Sequence, residues 1–314
     1  MRMRLVVLAV GLLLASAGAG PAQPRPLFAF HSGFWTNLHH YLHARARANE
    51  PLDEALPAFS TDEQRRWAGA EDFYRRQYAR RSLLFDDELV RIKAALREAA
   101  ARPDLSGVTI PAALRSALED VAPVYRRHFW ERHAAANRAF EAAVAVYLRR
   151  DGEAIARRLA ASFDATWPAA PIPVDLVHDA GPPGNAYTVS EPTQITVAAA
   201  DPRHRGDATL EILFHEASHR WDARLMEDVR VVARQLGVRA PGALWHGLLF
   251  YNAGAITADR LASSGITGYE MYMHAQRTFD NPGWHDAIAR HWRDFLDGRI
   301  SRREAVARVL RDLS

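Results

Sequence analysis

The segment Leu210–Asp222 constrains this chain more than any other part of it. It reads Leu-Glu-Ile-Leu-Phe-His-Glu-Ala-Ser-His-Arg-Trp-Asp. Its centre, His215-Glu216-Ala217-Ser218-His219, is an HExxH motif set in a helical pattern. Residues four apart in a helix stand one turn apart on the same face, so both imidazoles can hold one zinc ion. Glu216 follows the first histidine directly, where a carboxylate can take a proton from a water on the metal. Leu210, Leu213, Phe214, Ala217 and Trp221 recur at helical spacing as an apolar stripe offset from the histidines. A helix of this kind packs into a core and presents its metal pair to a cleft.

Composition narrows the chemistry. The 314 residues, 48% of them hydrophobic, are enough to bury a full core as one large domain or two in close contact. The chain has no cysteine, which excludes disulfides, thiolate zinc ligands and cysteine nucleophiles. Any metal must therefore be held by His, Asp or Glu. Met1-Arg2-Met3-Arg4 is basic, Leu5–Ala15 is apolar but too short for a comfortable membrane span, and Ala15, Ala17, Ala19 and Ala22 offer cleavage sites. This pattern predicts a signal peptide over 1–22. The mature protein is then exported, periplasmic or extracellular, with no stable membrane span. Loss of Arg2 and Arg4 takes the formal charge from +3 to +1, 38 basic against 37 acidic residues, and Lys93 is the one lysine. No nucleic-acid partner is expected from such a balance.

Along the chain, residues 23–166 read as a helical N-terminal region and 167–314 as the metal-site region. A helix is expected from about Gly33 to Asn49, with Trp35, Leu38 and Leu42 inward. It carries His39, His40 and His43, read as buried histidines bonded to neighbours, with a second metal site or packing beside the cleft as alternatives. Ser60-Thr61-Asp62-Glu63 is a capping box, Asp86 or Asp87 opens the next helix, and Pro111 opens another. Pro123–Arg150 reads as one long helix, separated by Asp151-Gly152 from Glu153–Thr166. The texture then changes: Ile172–His178, Ala186–Ser190 and Gln194–Ala198 read as strands of a small sheet, broken at Glu191-Pro192. Asp207 is placed to cap the motif helix. The fold class is α+β, mostly α-helical.

A short sheet leading directly into an HExxH helix resembles the zincin zinc metallopeptidases, over roughly Ile172–Ala262. The resemblance implies a zincin-like core, a Zn2+ cofactor, a peptide or protein substrate, and a strand within Ala186–Ala198 that holds substrate backbone extended. It does not extend to a subfamily. Metzincins place a third ligand six residues after the second histidine and a glycine at the third, but Leu225 and Asp222 stand there. The NExxxD-like sequence common in gluzincins is missing.

The third ligand must come from elsewhere, because a catalytic zinc takes three protein ligands and keeps an open position. Glu227 is too far along a continuous helix. His246, in the apolar stretch Leu244–Tyr251, is the leading candidate, with Asp259 and Glu270 as alternatives. Geometry attaches a condition: only if the motif helix bends or stops near Asp222–Asp228 can His246 return to the metal. Glu211, one turn before His215, is a solvated carboxylate or a residue that orients that ring. Tyr251, Tyr269 or Tyr272 can donate to an oxyanion, and Tyr251 is the one selected. The expected protein is a secreted zinc-dependent hydrolase with His215, His219 and His246 as ligands, Glu216 as general base and Tyr251 as donor. Its rival is a non-catalytic exported binding protein with a structural zinc.

Overall fold

The computed structural model describes residues 25–47, 57–181, 186–279 and 283–314. The expected signal peptide and most of the loop at Gly181–Asn185 lie outside them. The protein is mostly helical with one small mixed sheet, the α+β class expected.

Four strands, β1 (Phe28–His31), β2 (Ile172–Val177), β3 (Ala186–Ser190) and β4 (Thr193–Ala198), lie in the order β1-β2-β4-β3. β1, β2 and β4 are parallel, and β3 returns antiparallel to β4 at the edge, pairing Thr188 with Ile195. β2 is central and nearly all of its side chains are buried, as for a strand covered on both faces. The three strands of the second half match the pattern read from sequence. β1, Phe28–His31, is not among the strands expected from the sequence. It becomes a strand because Phe28 inserts edge-on against Trp167 and Phe214, with ring centroids 5.8 and 5.6 Å away.

Helices α1 (Phe34–Arg47), α2 (Thr61–Gln77) and α3 (Asp87–Glu98) follow β1. The Ser60 capping box forms in both directions, and Asp86 caps α3 through the amides of Glu88 and Leu89. Beyond Pro111, α4 (Ala112–Tyr125), α5 (Glu131–Tyr147) and α6 (Glu153–Ser162) run on through two π turns, Arg126–Trp130 and Leu148–Gly152. The boundary expected at Pro123 is passed inside α4, and the break expected at Asp151-Gly152 is absorbed into the second, wider turn. Asp151 is buried and bonded by Arg260 (2.9 Å) and Ser264 (2.8 Å). Gly152 stays helical with Leu27 pressed against it: an added Cβ would lie 3.0 Å from Leu27 Cδ1.

The metal-site half adds α7 (Ala208–Ser218), α8 (Asp222–Leu236), α9 (Leu244–Ser263), α10 (Tyr272–Ala275), α11 (Trp284–Leu296) and α12 (Arg302–Asp312). Asp207 stands at the N-cap of α7 without capping it; its carboxylate goes to Arg150 at 3.3 Å. Buried apolar side chains form one cluster among α1–α4 and a larger one around the sheet, α6, α7, α9, α11 and α12. Phe140 and Val144 of α5 belong to the larger cluster, so the N-terminal region supplies elements to both. α7 lies inside it, with Leu210, Leu213, Phe214 and Ala217 fully buried. Burial of each Leu or Phe side chain contributes about 1.5–3 kcal/mol, so the helix that carries the motif is anchored by its apolar face. Among the described residues no helix is long and apolar enough to cross a membrane.

Candidate metal centre

Three histidines converge at the C-terminal end of α7. His215 and His219 are one turn apart, their ring centroids separated by 5.0 Å. His246, in the first turn of α9, brings its Nε2 to 3.3 Å from Nε2 of His215. One ring nitrogen from each of the three lies within 4.8 Å of the others, and among the described residues no fourth His, Asp or Glu joins the group.

The bend on which His246 depended is present, a few residues earlier than Asp222–Asp228. The Ser218 hydroxyl donates to the His215 carbonyl at 2.6 Å, competing with the backbone for that acceptor. The chain tightens into a 3₁₀ turn over His219–Trp221, and Trp221 stacks on Phe163 with centroids 5.5 Å apart. Trp221 leaves the helical backbone at φ −118°, and α8 begins after it and ends at Gly237, whose φ of 69° closes the helix in the left-handed conformation. α9 can thus return along α7 with its first turn, not its middle, at the histidines.

The donors suit a metal. Metal-binding imidazoles must be neutral, and burial pushes His215 well below the ordinary histidine range, helped by the two neighbouring rings. Burial takes His246 down to about 4, with His219 adding to the effect and Asp222 opposing it. Nδ1 of His219 faces Asp222 Oδ2 at 3.4 Å, which orients the ring with Nε2 toward the cluster. Phe250 stacks on His215 at 3.5 Å, and Trp245 on His246 at 4.9 Å. These rings fix the imidazole planes and form an aromatic wall completed by Phe279, 5.1 Å from His246.

Glu216 is 5% exposed and faces the edge strand. Thr188 Oγ1 lies 2.8 Å from its Oε2 and 2.9 Å from its carbonyl oxygen. Burial raises the carboxyl above the usual glutamate range, against the pull of His219 and the Thr188 hydroxyl. With two acceptors in reach, the hydroxyl can donate to the carboxylate, or to the carbonyl when the carboxyl itself donates. The position accommodates either protonation state.

Other expected residues are placed elsewhere. Tyr251 donates to the Ala289 carbonyl at 3.3 Å and lines a cleft with Asp259, Glu270 and Arg293 whose walls include none of the three histidines. Being five positions after His246 on one helix, it is turned well away from that face. Asp259 is held by Arg158 (2.7 Å) and Arg293 (2.8 Å), and Glu270 is exposed, so neither joins the cluster. Glu211 is neither solvated nor bonded to His215. Its buried Oε2 accepts from the Tyr269 hydroxyl (2.6 Å) and the Tyr272 amide (2.9 Å), while Oε1 and His215 Nδ1 have no hydrogen-bond partner among the described residues. His39, His40 and His43 are buried and bonded to the Tyr74 hydroxyl, the Thr36 carbonyl with the Tyr187 hydroxyl, and the Arg81 carbonyl respectively.

Thr188 was the site residue that sequence reasoning passed over, because an isolated threonine in a strand carries no signal. The one available clue was that the strand bearing it precedes the motif helix. Comparison of the chain with protein-family profiles, with curated proteins and with solved structures finds no match.

Proposed function

We propose that this protein is an exported zinc-dependent hydrolase of zincin type that cleaves peptide bonds. The observation that carries the reading is the convergence of His215, His219 and His246 with the buried carboxylate of Glu216 on the same helix. Three neutral imidazoles leave the full charge of a divalent ion in place and one coordination position open. Zinc held there would polarise a substrate carbonyl and make water easier to deprotonate at neutral pH.

The chain's own residues do the rest. Glu216, raised by burial, takes a proton from the attacking water and returns it to the departing amine nitrogen. β3 is an edge strand beside α7, and in an antiparallel pair alternate residues turn their N–H and C=O away from the partner. That free edge suits a peptide in extended form, and the partly exposed Trp245 and Phe279 offer an apolar surface beside the histidines. Neither Tyr251 nor Tyr269 is assigned to the oxyanion, since their hydroxyls are engaged with the Ala289 carbonyl and the Glu211 carboxylate. The signal-like N-terminus, Arg2 to Ala22, supports export.

The test is hydrolysis of a mixture of internally quenched fluorescent peptides by the zinc-loaded protein and its Glu216→Gln and His246→Ala variants. Glu216→Gln is expected to retain zinc and lose about 10²- to 10⁴-fold in rate, the range for a general base. His246→Ala is expected to lose zinc. Full activity in Glu216→Gln, or undiminished zinc in His246→Ala, refutes the assignment.

A further inference from the structure

Among the described residues the hydrogen bond to the Glu216 carboxylate comes from Thr188, on a different element from the motif. Side chains alternate across a strand, so Thr188 faces α7 while its neighbour Tyr187 faces the opposite way, toward α1 and α3. There the Tyr187 hydroxyl lies 2.8 Å from His40 Nε2 and 3.2 Å from Lys93 Nζ, with the same Nζ also 4.4 Å from the ring centroid. The direction of this chain is determined. His40 Nδ1 is 2.7 Å from the Thr36 carbonyl, which can only accept, so Nδ1 carries a proton; burial pushes the ring down to about 3 and keeps it neutral, so Nε2 accepts. Tyr187 therefore donates to His40, and Lys93 donates to Tyr187. His40 and Lys93 are both buried, at 0% and 1% exposure.

An edge strand is the least constrained part of a sheet, and among the described residues β3 pairs on one side only. It is held instead through side chains on both faces, by Thr188 to the motif helix and by Tyr187 to the N-terminal helices. We infer that Thr188 is the positioning residue for the Glu216 carboxylate, and that the Lys93–Tyr187–His40 chain fixes the strand that carries it. The N-terminal helical half is then part of the apparatus that aligns the base. This inference rests on the general-base role proposed for Glu216.

The test compares zinc-loaded wild type with Thr188→Val, which keeps the shape and β-branching but removes the hydroxyl, and Thr188→Ser, which restores it. The first readout is independent of turnover: crystal structures of the three proteins. The Glu216 carboxylate is expected to leave its wild-type place in Thr188→Val and to keep it in Thr188→Ser, with zinc content equal in all three. The second readout is kinetic, on the internally quenched peptide cleaved fastest. A misplaced base is expected to lower kcat about 10- to 100-fold with KM little changed, and serine to recover most of that loss. Tyr187→Phe, which removes the other anchor, is expected to displace Glu216 in the same sense with a smaller fall in kcat. A carboxylate that superimposes on wild type in Thr188→Val overturns the positioning role, as does an unchanged kcat. A Tyr187→Phe protein indistinguishable from wild type overturns the role of the buried chain. If wild-type protein cleaves no peptide in the mixture, the peptidase reading fails, while the crystal structures still decide whether Thr188 sets the carboxylate.

Discussion

Replacing Glu211 by Gln should make the protein less sensitive to alkali, by an amount that follows from the surroundings of the carboxyl. Glu211 is fully buried one turn before His215, and burial raises it from 4.5 to about 7 against the hydrogen bonds from Tyr269 and Tyr272. Between pH 4.5 and 7 the folded chain holds this proton and the unfolded chain does not. Stability from this group is therefore complete below pH 4.5 and is lost as pH rises through 7. The gap corresponds to about 3 kcal/mol. Glutamine retains a carbonyl oxygen for the Tyr269 hydroxyl and the Tyr272 amide but has no charge to bury. Its amide nitrogen would replace the unbonded Oε1, adding a pH-independent penalty of roughly 1 kcal/mol. Urea unfolding of both proteins from pH 4.5 to 8.5 gives the difference in which all shared groups cancel. Wild type should lose about 3 kcal/mol relative to Glu211→Gln across that range. A difference that stays flat with pH would refute the claim that Glu211 folds as a protonated acid.

Three further outcomes are expected. Gly254→Ala should destabilise the fold by about 1–3 kcal/mol in the same unfolding assay, because the new Cβ would lie 2.7 Å from Glu211 Oε1 and 3.0 Å from Met271 Sδ. Asp222→Asn should weaken zinc binding about 10-fold in competition with a chelating dye, by loosening the orientation of His219, with far-UV circular dichroism unchanged. Lys93 is pushed down by burial to about 7, so between pH 7 and 10.5 the unfolded chain binds a proton that the folded chain does not. Wild-type stability should accordingly rise with pH through that window, by up to about 5 kcal/mol, and Lys93→Met should remove the rise. Equal pH slopes for the two proteins would show that the amine is not desolvated.

Much of the site was legible because it depends on local periodicity. HExxH on an apolar-striped helix fixes the spacing of two imidazoles and a carboxylate whatever surrounds them, and β2, β3 and β4 announced themselves by β-branched residues between prolines and glycines. His246 was found by a weaker argument, a polar ring in an apolar stretch, and was conditional on a bend that the Ser218 side chain and Trp221 packing supply. Local signals misled where packing overrode them. Pro123 and Asp151-Gly152 look like breaks, yet the helix passes through both, Pro123 inside α4 and Asp151-Gly152 in a π turn. Tyr251 looked available as a donor, but its direction is set by its phase on α9 and it is bonded to Ala289.

By itself the sequence determined the helical character, the small sheet and the two histidines and glutamate of the motif, since each is encoded within about ten consecutive residues. The tertiary structure alone decided the rest of the site. It brought His246 to within 3.3 Å of His215 across 31 residues, and placed Thr188 on Glu216 across 28. It drew β1 from the far end of the chain into the sheet, and set Lys93, His40 and Tyr187 in one buried chain. These contacts follow from how α9 and β3 dock on α7, and docking depends on the summed burial of many side chains rather than on any local pattern.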